Sequence, residues 1–148
     1  IMKVKNITLE PAENDYQESS IFGKRFGNSG GVTSAVLQYM KEKDYDCDPK
    51  VCKANGAAEC KKALLLLKAG KLPEDFIEGM ACVGGCVGGP KVLIPKEEGW
   101  AMVNEYGTAA QYRTPLENPY VRELLERLGF TDIMDFLEHS DLLTRNFA

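Results

Sequence analysis

No purely apolar run in this 148-residue chain is longer than Ala63 to Leu67, far short of the roughly 20 residues with which a helix crosses a bilayer, so membrane insertion is unsupported. The opening residues carry no basic stretch followed by an apolar run, and export is unsupported. Basic residues are in the minority, 18 Lys and Arg against 22 Asp and Glu. The resulting charge of −4 argues against nucleic acid, which wants a basic face, and serves solubility. Histidine occurs once, at His139 in the C-terminal tail, and reads as a surface residue. Linkers rich in proline or serine, internal repeats and low-complexity runs are all missing, so residues 1–148 read as a single domain. Hydrophobic residues make up 44% of the chain, enough for one ordinary core. A regular disulfide framework is also missing, because the five cysteines are odd in number and irregularly spaced. Free thiols or metal ligands in a reducing compartment are the better reading, which makes the expected location cytoplasmic.

What is present alternates between helix and short strand. Val32, Ala35, Val36, Tyr39 and Met40 share one face of a helix over about Gly30 to Lys43, with Ser29 as its cap. A strand over Lys50 to Ala54 leads through Asn55-Gly56 into a helix ending at Lys68, with Gly70 as the left-handed stop. A second strand, Asp75 to Met80, follows Leu72-Pro73. Glu97 to Ala110 reads as a helix weakened at Gly107, and Asn118-Pro119 to Gly129 as a complete cap-to-stop helix with Val121, Leu124, Leu125 and Leu128 on one face. A short helix spans about Ile133 to Glu138, and Met2 to Leu9 is a candidate extra strand. The class is therefore α/β, a small mixed or parallel sheet flanked by helices.

The chemistry concentrates in Glu78-Gly79-Met80-Ala81-Cys82-Val83-Gly84-Gly85-Cys86-Val87-Gly88-Gly89-Pro90, at the carboxyl end of the second strand, where open α/β sheets bind ligands. Two thiols among glycines suit a metal cluster: glycine adopts backbone angles that wrap an inorganic object, and close N–H groups favour thiolate. The C-x-x-x-C spacing is one residue longer than a zinc-ribbon or dithiol-exchange pair, which lowers both of those readings.

This segment resembles a cysteine signature of the iron-only (di-iron) hydrogenases, in which an acid and a methionine precede C-x-x-G-C and further glycines follow; Glu78, Met80, Cys82, Gly85, Cys86, Gly88 and Gly89 match. Glu18-Ser19-Ser20 and Phe26-Gly27-Asn28-Ser29-Gly30-Gly31-Val32 are similar to a glycine-rich stretch upstream of that signature. The resemblance implies one lobe or part-lobe of the hydrogenase catalytic domain. It implies that Cys82 ligates a four-iron four-sulfur cluster and that Cys86 bridges it to a di-iron unit. Met80 would pack beside that unit, its soft thioether offering no strong hydrogen bond, with Gly85 and Gly88 in the cofactor-binding loop. Glu78 matches the signature's acid and receives no catalytic role. Two further family signatures, T-S-C-C-P and M-P-C-x-x-K, do not occur here, and Gly88-Gly89-Pro90-Lys91 stands where many members have G-G-G-Q-P. The chain therefore looks like a C-terminal part of the catalytic domain of a divergent, sensory-type member. By itself it would be inactive and without its cofactor. Its implied partners are the remainder of the catalytic domain and a ferredoxin-like electron carrier.

Plainer readings stand beside these. A hydrogenase-like protein could hold a cluster for assembly or hydrogen sensing without turnover, and a structural module could use the cysteines for nothing. Cys47, Cys52 and Cys60 fit no metal pattern and read as buried or incidental thiols. The glycines after Phe26 lack a G-K-[ST] ending, so a helix-start turn is preferred to a phosphate loop. Leu64 to Leu67 and Trp100 read as core, and Lys61-Lys62 as a solvated face.

Overall fold

A βαβ unit organises the chain. The computed structural model describes residues 4–8 and 19–144. Strands β1 (Val51–Asn55) and β2 (Phe76–Met80) pair in parallel, from Val51 opposite Phe76 to Asn55 opposite Met80. Parallel neighbours need a crossover, and helix α3 (Ala57–Lys68) supplies it. Its small Ala63 and the strand's Ala54, 4% and 3% exposed, permit close packing of helix on strand. Gly70, at φ +64°, turns the chain out of the helix toward β2.

The remaining helices are α1 (Ile21–Lys24), α2 (Gly31–Glu42), α4 (Lys96–Thr108), α5 (Pro119–Leu128) and α6 (Ile133–His139), with 3-10 turns at Arg25–Gly27, Cys86–Gly88 and Pro115–Glu117. Arg25 ties α1 to α4: its guanidinium donates to the Asn104 carbonyl at 3.2 Å and to Thr108 Oγ1 at 2.7 Å. A Cβ at Gly107 would stand 2.9 Å from Arg25 Nε, so the glycine that weakens α4 on propensity is what admits Arg25. The class expected from sequence, α/β with a small parallel sheet and flanking helices, is the architecture observed.

Several expectations are corrected. Residues 4–6 form a turn and no strand occurs in 4–8, while Met2, Lys3, Leu9 and Glu18 lie outside the described residues. Leu64, Leu65 and Leu67 are more than half exposed and Trp100 is 49% exposed, so neither the leucine run nor the tryptophan is core. Ala54, Ala63 and Leu125 are the buried hydrophobic residues among those described, and an ordinary core is not formed. The accessible surface is 11680 Å² for 16.4 kDa, against about 7,500 Å² for a folded monomer of that mass. Among the described residues, apolar faces that the periodicity marks as inward, such as Leu64, Leu65 and Leu67 on α3, stay exposed.

Candidate metal-binding loop

β2 runs out at Met80 directly into the cysteine loop, so the strand register fixes where that loop starts. The Gly85 N–H closes a turn onto the Cys82 carbonyl at 2.9 Å, and the next turn carries Cys86 into the 3-10 segment. Both thiols are free; Cys82 is half-buried and Cys86 exposed, and neither is sealed in an apolar interior. Gly84 and Gly85 hold φ of +93° and +83°, which glycine takes without the cost a Cβ imposes. Gly88 answers a different need: a Cβ there would lie 1.9 Å from the Val83 carbonyl oxygen.

The loop meets the glycine-rich segment that precedes α2. The Ser29 N–H donates to the Gly84 carbonyl at 3.1 Å, and Asn28 and Gly85 form an antiparallel bridge. A Cβ on Gly85 would come 2.3 Å from the Gly27 carbonyl oxygen, and one on Gly27 would touch Cys86 Cβ at 3.6 Å. The two stretches singled out in the sequence are thus in direct contact, with Cys86 against Gly27.

Glu78 fastens this assembly from beneath. Its carboxylate is 5% exposed and accepts the Gly30 N–H at 2.8 Å, the Thr33 N–H at 3.1 Å and the fully buried Thr33 hydroxyl. A carboxylate at a helix N-terminus satisfies orphan donors and meets the positive end of the helix dipole. Glu78 therefore caps α2 from another element, in place of the cap expected from Ser29. Gly30, at φ +88°, is the cap residue, and Ser29 spends its N–H on the cysteine loop. The sequence alone gives Glu78 no role, does not single out Thr33, and marks Asn55 only as a turn residue. Asn55 Oδ1 accepts the Gly84 N–H at 2.7 Å; its one sequence signal, the Asn55-Gly56 pair, reads as nothing more than the start of α3.

Met80 is half-buried and precedes the loop, its carbonyl accepting the Gly56 N–H at 2.7 Å. Cys47 is exposed, and Cys52 and Cys60 are half-buried. Among the described residues no three His, Cys, Asp or Glu side chains are grouped to hold a metal ion. Cys82 and Cys86 can supply two sulfurs, half of what a four-iron cluster requires. The donor type and the tight glycine loop fit such a cluster, and the number of ligands fits one shared with other residues. His139 is exposed and bonded to Asp135. No helix among the described residues is long and apolar enough to cross a membrane.

The chain is 49% identical over 97 residues to the periplasmic [Fe] hydrogenase large subunit of Nitratidesulfovibrio vulgaris (strain Hildenborough), a match covering 47% of this chain and 23% of that protein. The cytoplasmic location expected from the cysteines is overturned by this periplasmic relative. An odd number of cysteines leaves at least one thiol unpaired within the chain in any compartment, so the count does not report where the protein works. The iron only hydrogenase large subunit, C-terminal domain, matches residues 1–90, which include both the glycine segment and the cysteine loop, and the chain belongs to that family.

Proposed function

We propose that this chain is one part of an iron-only hydrogenase whose whole protein interconverts dihydrogen with protons and electrons, and that Cys82 and Cys86 are two of the four cysteine ligands of a four-iron four-sulfur cluster joined to a di-iron unit. The observation that carries this reading is the pair of free, accessible thiols on one glycine loop at the carboxyl end of a parallel strand pair, braced by the glycine segment. When bound, the cofactor supplies one-electron transfer and an iron site for joining protons and electrons. The chain's own residues do the rest.

Cys82 and Cys86 present thiolates, Cys86 being the one that would bridge to the di-iron unit. Gly85 and Gly88 keep the loop narrow enough to close around it. Met80 would stand beside the di-iron unit with a thioether that neither donates nor strongly accepts hydrogen bonds. Glu78 holds the glycine segment against the loop, which keeps the sulfurs from spreading when they are charged. The other ligands and the electron carrier, ferredoxin-like in chemistry, come from outside the chain, and residues 1–148 act as a single part-lobe that is inactive alone. The unburied apolar faces of α3 and α5 suit a piece that packs into a larger body. Its compartment is that of the relative, the periplasm.

Anaerobic iron–sulfide reconstitution of the complete catalytic domain tests the reading. A brown species with broad visible absorption, lost in Cys82→Ala and in Cys86→Ala, is expected. Absence of iron uptake by the unsubstituted domain overturns it.

A further inference from the structure

Gly84 sits midway between the two cysteines, and its peptide groups are held from opposite sides. Its N–H is taken by Asn55 Oδ1 at 2.7 Å, and its carbonyl takes the Ser29 N–H at 3.1 Å. The Ser29 side of this clamp belongs to the segment that Glu78 anchors. The Asn55 side has an independent foundation. Asn55 is the last residue of β1, opposite Met80 in the ladder, and its own N–H donates to Glu59 Oε2 at 2.9 Å in the first turn of α3. Sheet and helix together therefore fix where the amide oxygen stands. Lys96 closes the remaining side, its Cδ 3.6 Å from where a Gly84 Cβ would be.

We infer that Asn55 is a positioning residue for the Cys82–Cys86 pair, acting through the Gly84 N–H; the inference rests on the cluster reading above. An amide is suited to this task because it accepts a hydrogen bond without adding negative charge beside two thiolates. A carboxylate would hold the same N–H but would disfavour the reduced, more negative cluster.

The test uses the full-length large subunit carrying this sequence and two readouts other than turnover. The first is the alkylation rate of Cys82 and Cys86 in the metal-free protein, resolved by peptide and referenced to exposed Cys47. The second is the cluster's midpoint potential after anaerobic reconstitution. Asn55→Ala should raise the relative alkylation rate about five-fold, the population equivalent of one lost hydrogen bond. This variant is expected to fold, because Asn55 borders an open groove of about 260 Å³, where water can replace the missing acceptor. Asn55→Asp should return alkylation to the unsubstituted rate or below it while lowering the potential. The inference is overturned if Asn55→Ala matches the unsubstituted protein in both readouts, or if Asn55→Asp alkylates as fast as Asn55→Ala. Failure of the unsubstituted protein to take up iron would instead sink the cluster reading, and the alkylation arm would still decide the role of Asn55.

Discussion

The stretch from Ser20 to Gly89 and the stretch from Asn118 to Thr144 are built on opposite plans. In the first, decisive bonds join residues far apart in sequence: Glu78 to Gly30 and Thr33, Asn55 to Gly84, Ser29 to Gly84. In the second they are local. Asn118 Oδ1 caps α5 through the Tyr120 N–H at 2.9 Å, Asp132 caps α6 through Met134 and Asp135, and Phe130 meets Phe136 edge to face with centroids 5.1 Å apart. Leu124 and Leu128 of α5 remain about half exposed, and Leu125 alone on that face is buried. A site that must hold two sulfurs in a fixed relation needs long-range bracing, since local turns open independently of one another. Helices that present apolar faces outward need only keep their own shape.

Breaking the long-range bracing should therefore cost most. Gly85→Ala places a Cβ 2.3 Å from the Gly27 carbonyl oxygen at a backbone φ of +83°. The combined overpacking and left-handed strain should destabilise the protein by about 4 kcal/mol, read in chemical denaturation. An unchanged midpoint would mean that the loop and the glycine segment are not in register as described. Glu78→Gln comes next. It keeps the shape but turns one acceptor oxygen into an amide that faces N–H or hydroxyl donors, at a cost of about 2–3 kcal/mol. Faster hydrogen exchange at the Gly30 and Thr33 amides, with the α5 amides unaffected, is the expected signature.

The same division explains what could be read from the sequence. Asn118, Pro119 and Gly129 announced α5 because a cap, a preset φ and a left-handed stop at φ +87° act within one or two residues of themselves. Gly70 and the βαβ order were legible for the same reason, and the strands fell within one residue of expectation. The cysteine loop was legible as a motif, and its Gly84-Gly85 pair does adopt the left-handed angles that such a loop wants. The α2 cap was not legible, since its acceptor, Glu78, is 45 residues from Thr33, and a serine beside the helix start is the better local candidate. Leu64 to Leu67 were misread because periodicity marks an apolar face without revealing whether the partner for that face lies in the same chain.

Within the locally built region, burial should separate neighbouring leucines. Leu125→Ala should cost about 2 kcal/mol, because Leu125 is 8% exposed. Leu124→Ala should cost less than about 0.5 kcal/mol, because Leu124 is 53% exposed. Equal losses measured on the isolated polypeptide would show that the outer face of α5 is covered after all. On the full-length protein, a larger loss at Leu124 than in the isolated chain would identify that face as a contact with the rest of the domain.

The smallest effect expected is a local response of α6 to acid. The Thr131 N–H donates to Asp135 Oδ2 at 2.7 Å and the Thr131 hydroxyl at 3.0 Å, and these bonds, with a lesser share from His139, hold the Asp135 carboxyl below the ordinary 3.8. A depressed carboxyl pKa in the folded state supports the fold above the unfolded value and ceases to do so as pH falls through the folded one. The start of α6 should therefore hold at neutral pH and loosen only below the usual carboxylate range. The Thr131 amide resonance should report this as a titration that Asp135→Asn abolishes. His139→Gln should shift it only slightly, since His139 contributes less than Thr131. A large shift in His139→Gln would transfer the local anchor of this helix from threonine to histidine. Because every bond that Asp135 makes here lies between Thr131 and His139, the change should stay within α6 and leave the Gly30 and Thr33 amides beside the cysteine loop undisturbed.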